Sequence, residues 1–167
     1  MSDYARYSRQ VILREVGVNG QSLLRDSTVL IIGVGGLGAP ASLYLAGAGI
    51  GRLILSDRDH VERSNLQRPI VYRRGALGRA NLDAAADNLR ALNPECSIET
   101  RPGPLDAAGL LGAIREADVV LDCTDNFPTR FAVNKACVAA RKPLVSGAAI
   151  RFEGQIALFV PGGPCYA

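Results

Sequence analysis

Gly33, Gly35 and Gly38 stand in G-x-G-x-x-G spacing, Asp57 follows about 20 residues further on, and Asp125 ends another apolar run. Those residue types, so spaced, suit the handling of a phosphate-bearing nucleotide. The glycines permit a tight turn, let main-chain N–H groups approach phosphate oxygens, and allow a following helix to pack on the preceding strand. The helix start after Gly38 adds a dipole that favours an anion. In such a unit the Asp57 carboxylate accepts hydrogen bonds from ribose hydroxyls, although Asp is also a common turn cap. Asp125 is a second carboxylate, suited to facing the phosphates or to a magnesium ion, which takes oxygen ligands and keeps much of its water. Between the acids lies Asp59-His60-Val61-Glu62-Arg63-Ser64-Asn65-Leu66-Gln67-Arg68-Pro69, which can offer an amide and the planar fork of an arginine to phosphate oxygens. His60 is the only histidine and has no second histidine or orienting group, so it reads as a surface or turn residue rather than a base or metal ligand.

The elements that must position these groups follow from the pattern around them. Val29 to Ile32 is a short apolar run ending at the glycines and reads as a strand buried on both faces, with a helix from Ala39 to Ala48 behind the turn. Arg52 to Asp57 reads as the second strand. An alanine- and leucine-rich helix over 79–92 is stopped by Asn93-Pro94, and a short strand follows at Ser97 to Arg101. A helix near Ala108 to Ala117 leads to a strand from Val119 with the polar tip Asp125-Asn126. A helix from Phe127 to Arg141, broken by Lys142-Pro143, leads to strands at Leu144-Val145 and Gln155 to Val160. Ahead of the first strand, residues 4–16 read as a basic amphipathic helix and Gln21 to Arg25 as a second helical piece. This alternation predicts one domain over 1–167. Its fold class is α/β, a Rossmann-like, doubly wound, mostly parallel sheet with helices on both faces and an N-terminal helical extension. Ligands of such sheets bind beyond the carboxyl ends of the strands, so Asp57 and Asp125 should look into one crevice. Asp122 is expected at a sheet edge or as a cap.

Composition excludes several other classes. The 167 residues, 48% hydrophobic and 21% charged, suffice for one well-cored domain. No apolar run reaches the roughly 18 residues of a membrane span, and Met1-Ser2-Asp3-Tyr4 lacks a signal-peptide layout, so a cytoplasmic chain with no membrane partner is expected. The formal charge is +3, but the 17 arginines and two lysines are scattered, without a basic block interleaved with aromatics, which argues against nucleic acid. Cys96, Cys123, Cys137 and Cys165 form no C-x-x-C pair; three are expected to fill core space.

The ordered blocks Arg6-Tyr7-Ser8-Arg9-Gln10, Gly33 to Gly38, Asp57-Arg-Asp59, Ser64 to Arg68, Asp122-Cys-Thr-Asp125-Asn126, Lys142 to Val145, Ser146 to Ala149 and Gly163 to Tyr166 closely resemble the ThiF/MoeB/HesA family. These are ubiquitin-activating-enzyme-like adenylyltransferases, and the resemblance is nearest to the molybdopterin-synthase branch, then the thiazole branch. It spans nearly the whole chain. The resemblance implies ATP and magnesium as ligands and a ubiquitin-like sulfur-carrier protein as partner, whose C-terminal glycine carboxylate is adenylated with release of pyrophosphate. Carried over by position, Gly36 touches the nucleotide with Gly33, Gly35 and Gly38 around it, and Asp57 the ribose. Asn65 and Arg68 reach the phosphates, and Asp125 the magnesium. Asp59, Ser64, Asn81 and Asn126 complete the expected binding set, and Arg9, Arg68 and Asp125 are the expected catalytic residues. The family arginine matching Arg9 enters the partner protomer's site, which implies a homodimer.

The chain departs from the family pattern twice. Where the family has G-x-P-K, this sequence has Gly78-Arg79-Ala80-Asn81, and an amide supplies no cation; Arg73, Arg74 or Arg79 are the candidate substitutes. The family zinc site uses two C-x-x-C pairs, whereas here the given sequence reaches only Cys165-Tyr166-Ala167, which reads as truncated and predicts no zinc. Two alternatives stand beside the activating enzyme: a non-catalytic member that binds nucleotide or partner, and a NAD-dependent oxidoreductase on the same turn and acid.

Overall fold

The computed structural model describes residues 5–64, 66–68 and 71–166. Six strands form one sheet in the order β3-β2-β1-β4-β5-β6. They are β1 Thr28–Ile32, β2 Arg52–Asp57, β3 Ser97–Pro102, β4 Val119–Asp122, β5 Leu144–Ile150 and β6 Glu153–Phe159. The first five are parallel and β6 runs antiparallel to β5. The expected doubly wound α/β architecture is therefore present. Its chain reverses direction of winding between β1 and β4, where such sheets hold their ligands.

Alternate residues of the central strands serve the two faces. Val29, Ile31, Leu53 and Leu55 pack with helices α3 (Gly38–Ala48) and α4 (Asn81–Leu92), while Leu30, Ile32, Ile54 and Val120 pack with α5 (Ala107–Glu116) and α6 (Phe127–Ala140). Both sides are apolar because both are covered, which is why β1 and β2 read as unbroken apolar runs. Asp106 caps α5 by accepting the Gly109 N–H at 2.7 Å.

The N-terminal extension differs from the expected helix. Among residues 5–16 only α1, Ser8–Val11, is helical, and α2 spans Gly17–Asp26. Ile12 and Leu13 are exposed, so no continuous apolar face exists to hold a longer helix, and Gly17 at φ +59 starts a new one. The extension is instead docked by specific polar contacts. Gln10 donates to Ala48 O at 2.9 Å and to Gln21 Oε1 at 2.7 Å, and the Tyr7 hydroxyl accepts from Asn93 Nδ2 at 2.8 Å. These contacts lie at the C-terminal end of α3.

Three further expectations need correction. The helix expected over 79–92 begins at Asn81, because Arg79 O accepts the Val61 N–H and His60 bridges Ala80. Strand β5 is far longer than Leu144-Val145: it continues to Ile150 and turns through Arg151, at φ +55, and Phe152 into β6. Neither residue type signals such a turn. Asp122 is not at an edge, since it ends a central strand and is 1% exposed, but the capping alternative holds: its Oδ1 accepts the Thr124 N–H at 3.0 Å. His60 is exposed, as expected, and no helix among the described residues is long and apolar enough to cross a membrane.

Candidate functional site

The carboxyl ends of β1, β2 and β4 open onto a cavity of about 980 Å³. The glycine turn forms one wall. Gly33 sits at φ +86, and a Cβ there would stand 2.9 Å from Cys123 O; a Cβ at Gly38 would meet Gly33 O at 1.9 Å. Those two glycines make the turn and seat α3 against β1. Gly35 and Gly36 differ: a Cβ at either would meet nothing within 4 Å, and both line the cavity. Space is left where a ligand's phosphates would lie, so Gly38 belongs to packing and Gly35 and Gly36 to the cradle.

Asp57 is the junction of this wall with the next. Its Oδ2 accepts the Val34 N–H at 2.6 Å, and its Oδ1 accepts the Asp59 N–H at 2.7 Å and faces Asn81 Nδ2 at 3.5 Å. The Tyr72 hydroxyl, buried behind the turn, donates to Val34 O at 2.6 Å. Burial first, then the charges of Asp57 and Asp59, push that phenol well above its ordinary range, so it remains a donor.

The opposite wall is the β4–α6 turn. Asp122 Oδ1 accepts both the Thr124 N–H at 3.0 Å and its hydroxyl at 2.6 Å. Arg130, buried on α6, donates to Thr124 O, to Gly147 O at 2.7 Å and to Ser146 Oγ at 3.1 Å, and its Nη1 lies 3.9 Å from Asp122 Oδ2. This network holds the backbone immediately before Asp125, whose side chain is exposed at the cavity. Cys123 lines the same cavity and packs against the core behind it, so with the buried Cys96 and Cys137 it makes up the three expected core cysteines. Burial, then Asp122, pushes its thiol up to about 12, so it is a poor nucleophile.

The structure thus brings Gly33, Gly35, Gly36, Asp57, Asp59, Arg68, Asn81, Asp125 and Asn126 to one cavity. Asn126 lines it, but its Oδ1 accepts the Thr129 N–H at 3.1 Å and hydroxyl at 2.7 Å as the α6 cap, and its Nδ2 donates to Asp125 Oδ1 at 3.5 Å. Ser64 does not join; it is exposed and donates to Glu62 at 3.1 Å. Asn65 lies outside the described residues. Arg9 is on exposed α1, whose docking at the C-terminal end of α3 puts it at the opposite end of the sheet from this cavity. None of the arginines expected to replace the missing cation lines the cavity: Arg79 pairs with Asp87 at 2.7 Å, and Arg73 and Arg74 are exposed elsewhere. The arginines that do line it are Arg58, Arg68 and Arg130. Arg58 and Tyr72 carried no sequence signal of their own; Arg58's place directly after the strand-ending acid could have marked it.

Asp125 fits a magnesium ion, since one hard carboxylate plus substrate phosphates and water is an ordinary donor set for it. Cys165 is exposed, and no three His, Cys, Asp or Glu side chains gather among the described residues, so these residues do not fit a zinc centre.

A glycine turn facing Asp57, at the end of β2, and Asp125, in the β4–α6 turn, at the switch point of a 3-2-1-4-5-6 sheet is the architecture of nucleotide-binding α/β proteins. The sequence matches the ThiF family over residues 7–167, and the chain belongs to that family. It is 51% identical over 165 residues to the adenylyltransferase and sulfurtransferase MOCS3 of Drosophila yakuba, covering 98% of this chain and 36% of the relative. The MOCS3 protein of Anopheles gambiae is 47% identical over 165 residues, covering 98% and 37%. A crystal structure of E. coli MccB with ATP superposes with a TM-score of 0.86 at 30% identity, covering 99% of this chain and 53% of that one. The chain therefore spans little more than a third of the length of these curated relatives.

Proposed function

We propose that this chain is the nucleotide-binding part of an ATP-dependent adenylyltransferase that activates the C-terminal glycine carboxylate of a ubiquitin-like sulfur-carrier protein. One observation carries the reading: the cradle at Gly35 and Gly36, Asp57, Arg68 and Asp125 share one cavity large enough for a nucleoside triphosphate. The MOCS3 relatives, named as adenylyltransferases, and the MccB structure with ATP support the chemistry.

In this reading the main chain of the turn cradles the phosphates, Asp57 holds the ribose, and Arg68 with Asn65 faces the phosphate oxygens. A carboxylate oxygen of the carrier attacks the α-phosphorus; the bond from that phosphorus to the bridging oxygen breaks, and pyrophosphate leaves with the electron pair. The acyl-adenylate so formed makes the carrier's carbonyl electrophilic. A magnesium ion at Asp125 would supply charge neutralisation on the phosphates. Guanidinium and main-chain N–H groups held by the folded turns stabilise the charge that builds as the phosphates separate. Arg9 belongs to this chemistry only in a second copy, since α1 docks away from its own chain's cavity; a homodimer follows.

Carrier-dependent exchange of pyrophosphate into ATP tests the proposal on this chain and on Asn81→Lys. Exchange is expected. ATP binding without exchange would favour the non-catalytic alternative, and stabilisation by NAD in place of ATP would favour the oxidoreductase. Mixing Arg9→Ala with Asp125→Ala chains should restore exchange that neither has alone; no restoration would sink the shared site.

A further inference from the structure

Asn81 is 4% exposed, opens α4 and lines the cavity. Its backbone N–H donates to Asp59 O at 2.9 Å and its Nδ2 faces Asp57 Oδ1 at 3.5 Å. Its Oδ1 is buried without a hydrogen-bond partner among the described residues. Exchanging the two ends of the amide would set oxygen against the Asp57 carboxylate, acceptor against acceptor, so Asp57 dictates the orientation.

A buried acceptor without a donor is costly, and a ligand entering here is favoured if it brings one. Phosphate oxygens are acceptors and bring none. A nucleotide's donors are the ribose hydroxyls and, on adenine, the exocyclic amine; the carboxylate that takes the ribose is the group Asn81 already faces. We propose that Asn81 is a specificity-determining residue whose Oδ1 accepts a hydrogen bond from a ribose hydroxyl, forming with Asp57 a two-residue ribose reader. The amide then does different work from the family lysine at this position. This inference rests on the nucleotide reading above and adds a demand on the sugar.

Calorimetric titration of the intact chain, without turnover, with ATP, 2′-deoxy-ATP, 3′-deoxy-ATP and inosine triphosphate tests it. The wild-type chain should bind one of the deoxy nucleotides at least about tenfold more weakly than ATP. Asn81→Ala should weaken ATP by about tenfold while leaving that same deoxy nucleotide unchanged, and Asn81→Leu, which restores the volume without an acceptor, should behave alike. Failure of the wild-type chain to discriminate, equal losses for all four nucleotides in both variants, or a loss coupled only to inosine triphosphate would overturn the ribose assignment and leave nucleotide binding standing. A wild-type chain that binds no adenine nucleotide would overturn both.

Discussion

Asp57, the ribose ligand of the proposed reading, is also a structural brace. Its two oxygens fix the Val34 N–H and the Asp59 N–H, so the glycine turn after β1 and the loop after β2 are tied through one carboxylate. Hydrogen bonds to a charged group contribute about 1.5–3 kcal/mol each. Asp57→Ala should therefore lower unfolding stability by about 2–3 kcal/mol in urea titration and abolish ATP binding in calorimetry. Retained binding would show that the carboxylate is only a brace. At this scale the acid was legible in the sequence, because a strand-ending Asp about 20 residues beyond a glycine turn has a geometric reason to be there. Tyr72 was not, because it reaches the site through long-range packing and leaves no local spacing to read, whereas Arg58 directly follows the acid and its place there was the signal.

At the scale of elements, the glycines of the turn divide into those that build it and those that leave room. Gly38→Ala drives a Cβ to 1.9 Å from Gly33 O and should cost about 3 kcal/mol or more, or prevent folding. Gly36→Ala meets nothing within 4 Å, should stay within about 0.5 kcal/mol of wild type, and should still weaken ATP binding. Equal stability losses in chemical denaturation would refute the division. The β4–α6 turn depends on a different device. Arg130→Ala removes the cation facing the almost fully buried Asp122 and should cost about 3–5 kcal/mol, part of which Asp122→Asn should restore in the double variant. Lack of any rescue would mean that Arg130 acts through Thr124 and Gly147 alone. The sequence marked β1, β2 and the helix between them through periodicity. The extension of β5 into a hairpin escaped it, since Arg151-Phe152 has no turn chemistry and only pairing with β6 makes the residues after Ser146 a strand.

Over the whole molecule, burial of thiols links stability to alkaline pH. Cys96 and Cys137 are raised to about 11 and about 12, both chiefly by burial, while an unfolded thiol titrates near its ordinary value. Between roughly pH 8.5 and those values the unfolded chain has lost protons that the folded chain retains. Stability is therefore complete below that window and falls as pH rises through it, by up to about 1.4 kcal/mol per pH unit for each thiol. Urea midpoints at pH 7, 9 and 10 under reducing conditions should show the decline, and Cys96→Ala with Cys137→Ala should reduce its slope, leaving the share of Cys123, whose thiol burial also pushes up to about 12; an unchanged slope would reject this origin.

The sequence by itself determined the α/β class, the glycine cradle, the acids Asp57 and Asp125 and the family, because strand, turn and helix signals are local and glycine has a steric reason for each of its places. Tertiary structure alone decided which of those residues meet. It put Arg9 at the far end of the sheet, left Ser64 outside the cavity, turned Asn126 to cap a helix, and set the Asn81 amide beside Asp57 with its oxygen unpaired. The physical reason is that a side chain's partner depends on strand order and loop path across the sheet, and neither is written in the spacing of neighbours along the chain.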